Sequence, residues 1–132
     1  MLSVLKFQRT RLIKKLLLLV FLYSLLIPIE ARAVSKDQWI RSLAICESGG
    51  RDITILDSNH KYSIGILQFQ SATFLSFSKK YGMKVTIKDI HSSTTQATLA
   101  KHMLDDGLWK HWYTCSKKIT KKLGSYKEAT DI

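Results

Sequence analysis

The stretch that decides the reading is Leu43-Ala44-Ile45-Cys46-Glu47-Ser48-Gly49-Gly50, followed by a polar loop and then Gly65-Ile66-Leu67-Gln68-Phe69. Residues 36–46 carry Ile40, Leu43 and Ala44 at i, i+3 and i+4, the spacing of one helical face. The next position of that stripe, i+7, should be apolar, and it is Glu47. A carboxylate on a buried face is costly unless it is paired or the face opens into a cleft. Gly49 and Gly50 mark the helix end, so the carboxyl also meets the negative pole of the helix dipole. Burial and dipole both push its pKa upward, and a carboxyl that holds its proton near neutral pH suits general acid catalysis. The competing reading is a surface glutamate in a fraying last turn.

Outward from this centre, Ser35 and Gln38 form a Ser-x-x-Gln capping box for the first helix of the domain, which Trp39 anchors. Residues 53–55 are β-branched, residues 57–61 are turn-like, and Tyr62-Ser63-Ile64 reads as strand again, which predicts a small β-hairpin. Gly65 then permits close backbone approach or an unusual φ. Gln68, polar between Leu67 and Phe69, is expected to point into a site; a glutamine satisfied by nearby backbone is the alternative. Ser71 is expected to cap a second helix to about Tyr81, with Phe74, Phe77 and Tyr81 on its core face and Gly82 as its stop. Ser93 and Gln96 read as another capping box, opening a third helix to Asp106 that buries Leu99, Ala100, Met103 and Leu104. Trp109, Trp112 and Tyr113 cluster before Cys115, either in the core or on a sugar-stacking surface.

At the start, Lys6, Arg9, Arg11, Lys14 and Lys15 precede an apolar run from Leu16 to Ile29 and the small-residue site Ala31-Arg32-Ala33. This is the pattern of a secretory signal over residues 1–33, too short for a spanning helix and interrupted near its end by Pro28; an uncleaved anchor is the alternative. The remainder divides into a domain at 34–116 and a basic tail at 117–132. The formal net charge of the 132 residues is +11. Removing the signal leaves about 15 basic and 9 acidic residues, which favours an anionic partner. Export makes a wall polymer or a lipid surface better candidates than nucleic acid. Much of the excess is Lys117, Lys118, Lys121 and Lys122, which also fits a solvated helix face. Two cysteines, Cys46 and Cys115, in an exported chain predict one disulfide rather than two free thiols.

Together these residues resemble the transglycosylase-like domain of resuscitation-promoting factors, and more broadly the lysozyme-like superfamily with its soluble lytic transglycosylases. The likeness is carried by Cys46 to Gly50, Gly65 to Phe69, the start Ser71-Ala72-Thr73-Phe74, and Gly107-Leu108-Trp109 to Trp112-Tyr113-Thr114-Cys115-Ser116, and it spans Trp39 to Ser116. The resemblance implies a mainly helical α+β, lysozyme-like fold with the hairpin beside the cleft and the two cysteines bridged. It implies cleavage of the β-1,4 bond between N-acetylmuramic acid and N-acetylglucosamine in peptidoglycan, by a bacterial protein that is secreted, periplasmic or associated with the cell wall. Glu47 matches the catalytic acid and Gln68 the Gly-x-x-Gln residue of the glycan cleft. Tyr62, Ser63 and Gly65 are expected on the hairpin side of that cleft, although the family often carries aromatic and glycine residues where this chain has Ser63 and Ile64.

Glu47 alone suffices for a lytic transglycosylase, in which the muramic acid's own C6 hydroxyl attacks. A muramidase needs a second carboxylate, for which Asp52 and Asp57 are the candidates in the loop. A non-catalytic wall-binding protein and a membrane-active basic protein are the rivals from other classes. His60, His91, His102 and His111 show no ligand spacing, so neither metal nor cofactor is expected. The expected partner is the glycan strand, met by a monomer that touches membrane only through an uncleaved signal.

Overall fold

In a computed structural model, which describes residues 2–25 and 33–131, the chain forms two compact units, residues 1–32 and 33–132. The first holds helix α1, Leu2–Leu25, on which Leu16 to Tyr23 are all exposed. No helix among the described residues is long and apolar enough to cross a membrane. Pro28, Ala31 and Arg32, on which the signal reading partly rests, lie outside the described residues.

The second unit starts at α2, Lys36–Ser48, and its cap is the expected one. The Ser35 hydroxyl accepts from the Gln38 amide and Gln38 Oε1 accepts from the Ser35 amide, each at 3.1 Å. Gly49 closes the helix in the left-handed region, and Gly49 and Gly50 donate back to the carbonyls of Ile45 and Ala44. Trp39, Ile40, Leu43 and Ala44 form its buried stripe.

The hairpin is part of a three-stranded antiparallel sheet in the order β1 (Thr54–Leu56), β2 (Tyr62–Ile64), β3 (Phe69–Gln70). The third strand pairs Ser63 with Gln70 and Ile64 with Phe69. Helix α3 spans Ser71–Lys80, α4 Ser93–Asp105 and α5 Tyr113–Leu123, with short 3-10 turns at Ile87–His91, Trp109–Trp112 and Tyr126–Glu128.

Three expectations are corrected here. Ser71 is the first residue of α3 rather than its cap, and the capping Gln70 uses no side-chain bond. Ser92, not Ser93, caps α4 by accepting from the Thr95 amide, which leaves Gln96 free to turn inward. Residues 117–131 are not a separate basic tail. They continue α5, bury Ile119 and Tyr126, and return to α2, where Lys36 donates to the Thr130 carbonyl and Thr130 to the Val34 carbonyl.

One core fills the unit. Trp39, Leu43, Leu67, Phe74, Ile90, Leu99 and Met103 are essentially inaccessible, each contributing on the order of 1.5–3 kcal/mol by burial. Phe69 packs edge-to-face on Phe74 and Trp112, and Trp39 does so on Tyr126. The buried Trp112 indole donates to the Leu67 carbonyl at 2.8 Å, which ties the Trp109–Trp112 turn to the segment before β3. Cys46 and Cys115 form the expected disulfide, joining α2 to α5.

Candidate active site

Glu47 occupies the last turn of α2, between the disulfide-bonded Cys46 and the buried Ser48. The Ser48 hydroxyl donates to the Ile66 carbonyl at 2.8 Å and accepts from the Arg51 amide at 3.2 Å. Covalent and hydrogen-bonded anchors therefore flank Glu47 on both sides and hold its backbone against the sheet. The carboxyl is half-buried in the wall of a cavity of about 540 Å³ that it shares with Asp57, Ser63, Gln68, Gln70 and Thr73. Ile55, Phe69, His111 and Trp112 complete the lining. Burial raises the Glu47 pKa above the ordinary glutamate value, and the negative charge of Asp57 raises it further.

Asp57 follows β1 and experiences the reverse. Its carboxylate accepts from the Ser63 hydroxyl and from Gln70 Nε2, and these two donors hold its pKa below the usual aspartate range. The donors are placed by strand register, because Ser63 on β2 lies opposite Gln70 on β3. One cavity thus contains a carboxyl whose pKa is pushed up and another whose pKa is pushed down, the arrangement that separates acid from base roles.

Gln68 lines the same cavity and is held there by its backbone and its side chain. Its φ of 53° is left-handed, a conformation that costs a non-glycine residue of order 1 kcal/mol. Gln68 Nε2 donates to the carbonyls of Ile53 at 3.0 Å and Gly65 at 2.8 Å. Both sequence readings of Gln68 therefore hold in part: local backbone satisfies the amide nitrogen, while the side chain forms cavity wall. Its Oε1 accepts no hydrogen bond among the described residues and remains available to a ligand donor.

Two residues expected in the cleft lie elsewhere. Tyr62 is exposed on another face, beside Thr54, Lys61 and His91, because alternation along β2 sends it opposite to Ser63. Gly65 is buried and does not line the cavity; its φ is 87° and an added Cβ would overlap the Gln96 side-chain amide. Gln96, fully buried on α4, accepts from the Leu67 amide at 2.8 Å and donates to the carbonyls of Ile64 and Ile90. Gly65 is thus a close-approach position that positions the Gly65–Gln68 turn. Asp52 is engaged with His91 at 3.1 Å, outside the cavity, so Asp57 is the loop acid that accompanies Glu47.

Reasoning from sequence missed Gln70, Thr73 and His111 as cavity residues. Only the strand pairing and the return of the Trp109–Trp112 turn bring them together. Among the described residues, no three His, Cys, Asp or Glu side chains converge as metal ligands. Comparison with protein-family models, curated proteins and solved structures finds no match.

Proposed function

We propose that the chain is an exported glycosidase of lysozyme-like fold that cleaves the β-1,4 bond between N-acetylmuramic acid and N-acetylglucosamine in peptidoglycan. One observation carries the reading: Glu47, half-buried and with its pKa raised, shares an open cavity with Asp57, whose pKa is lowered. That pairing fits a glycoside, whose oxygen must be protonated while positive charge develops at the anomeric carbon. Glu47 donates its proton to the glycosidic oxygen, and the C–O bond breaks through an oxocarbenium-like state. The Asp57 carboxylate stabilises that cation through space.

In the preferred reaction the C6 hydroxyl of the muramic acid attacks its own C1 and returns a proton to the Glu47 carboxylate. The product is a 1,6-anhydro end, and Glu47 is restored. A muramidase is the second reading, and the specific observation in its favour is Asp57 in the same cavity. Either as nucleophile or as base for a water, Asp57 would supply the second carboxylate that hydrolysis needs. Gln68 Oε1 offers an acceptor for a sugar hydroxyl or acetamido N–H.

Mass spectrometry of muropeptides released from purified sacculi tests the proposal. A 1,6-anhydromuramic end is expected, and a reducing end would assign the muramidase instead. No release by the wild-type protein, with glycan binding intact and unaffected by Glu47→Gln, would leave a non-catalytic wall-binding protein.

A further inference from the structure

A second cavity, of about 570 Å³, shares no residue with the first. Trp39, Leu104, Trp109 and Tyr126 supply its apolar wall, between α2, the end of α4, α5 and the Tyr126–Glu128 turn. Lys117, Lys121 and Lys127 line it with them, and none forms an ion pair among the described residues. By contrast Lys36, Lys80 and Lys101 are each paired with aspartates.

No acid lines the cavity, and acids on the neighbouring segments have partners of their own. Asp105 and Asp131 both bind Lys36 at 2.9 Å, and Glu128 accepts from the Ser125 amide at 3.0 Å. The cavity itself is an apolar recess lined by three lysines and no acid, and α5 adds Lys118 and Lys122 without a single acid. Beside it, Trp109 and Tyr113 stack at 5.7 Å and stay exposed, with Lys110 Nζ 6.0 Å from the Trp109 ring and Lys117 Nζ 5.1 Å from the Tyr113 ring. Amphipathic rings flanked by lysines are the side chains that settle at a lipid–water boundary, where rings meet the glycerol level and ammonium groups meet phosphates. In the cavity wall, the Tyr126 hydroxyl is buried with no hydrogen-bond partner among the described residues.

We propose that this face, centred on the Trp109 recess and Lys117, Lys121 and Lys127, docks the domain on an anionic lipid surface. The recess takes the glycerol and upper acyl region of a lipid, and the three lysines hold its phosphate and those of its neighbours. An acidic peptide would satisfy the lysines and leave the tryptophan-walled recess unused, which is why the lipid is the better occupant. The proposal is independent of the glycosidase reading, because the two cavities have no wall in common.

The test uses the full chain and reads Trp109 itself, so any membrane attachment through residues 1–33 leaves the measurement valid. Vesicles of phosphatidylcholine with phosphatidylglycerol, brominated on the acyl chains, are mixed with the protein, and the Trp109 signal is isolated by comparison with Trp109→Phe. Quenching of Trp109 is expected on the mixed vesicles, absent on phosphatidylcholine alone and lost at high ionic strength. The triple variant Lys117→Glu, Lys121→Glu, Lys127→Glu should weaken the quenching titration by on the order of 10²-fold while the domain stays folded by circular dichroism at the assay temperature, because all three side chains are exposed and none forms an ion pair among the described residues. Equal quenching on neutral vesicles, no quenching on either, or quenching retained by the triple variant would overturn the proposal. A polyglutamate peptide that shifts Trp109 emission where vesicles do not would assign the face to an acidic protein partner.

Discussion

Glu47 and Asp57 line one cavity, yet their carboxyl groups are biased toward opposite protonation states. Burial and the Asp57 charge favour protonated Glu47, while Ser63 and Gln70 favour ionised Asp57. The bias arises from position in the fold: Glu47 ends a helix whose stripe faces the core, and Asp57 sits where strand register supplies two donors.

The proposed activity should therefore have two limbs in pH. It declines as pH rises through the elevated Glu47 pKa, because the acid loses its proton. It declines again as pH falls through the depressed Asp57 pKa, because the stabilising charge is lost. Glu47→Gln is expected to reduce turnover by about 10²–10⁴-fold. The check is muropeptide release from sacculi across pH for wild type and variant, and a Glu47→Gln protein with wild-type turnover contradicts the acid role.

The two loop acids should separate cleanly. Asp57→Asn is expected to lower turnover by on the order of 10²-fold and to move the acid limb of the profile, whereas Asp52→Asn, whose partner is His91 outside the cavity, leaves both unchanged. Steady-state kinetics on the two variants decide this, and equal losses would contradict the assignment.

Glu47 also has a stability signature. Its folded-state pKa lies above the unfolded value, so the protonated group contributes stability that is fully present below the unfolded pKa and lost as pH rises through the folded one. Glu47→Gln should raise thermal stability at pH values above the folded-state pKa, where the buried carboxylate is charged, and the gain should vanish in acid. Unfolding curves at two pH values measure it.

Gln96 and Gly65 should be coupled. Gln96→Ala strips partners from the Leu67 amide and from the carbonyls of Ile64 and Ile90, a loss of about 2–4 kcal/mol. Gly65→Ala is costly both through its left-handed backbone and through overlap with the Gln96 amide. In a double-mutant cycle the combined loss should be smaller than the sum, since removing the Gln96 amide removes the overlap. Strict additivity would refute the contact.

Reduction of the disulfide should destabilise the domain. The bridge spans a sequence separation of 69, for which chain entropy gives about 4 kcal/mol. Because Cys46 directly precedes Glu47, Cys46→Ser with Cys115→Ser should lower turnover at temperatures where the domain remains folded. Parallel unfolding and kinetic measurements separate the two effects.

What could be read in the chain was what local pattern encodes. The misplaced Glu47 on an apolar stripe, the Ser35/Gln38 box, the Gly49 stop and the pair of cysteines each announce themselves within a few residues, and each is found as expected. Features set by distant partners were not readable. Phe69–Gln70 is too short a strand to show periodicity, and Asp57 is distinguished from Asp52 only by the neighbours the sheet provides. Ser93-x-x-Gln96 matched a capping pattern, yet the cap had shifted one residue to Ser92, and Gln96 was needed against Gly65. The lysines of α5 likewise hid an i, i+4, i+8 stripe of Cys115, Ile119 and Leu123 that folds the apparent tail.

The bridge between Ser35 and Thr130 makes one corner of the domain both its entrance and its exit. A polypeptide arriving at Val34 and departing after Thr130 crosses the surface at a single doorway. The folded body could therefore be spliced into a surface loop of a host protein, or re-cut elsewhere after its ends are fused, with little distortion.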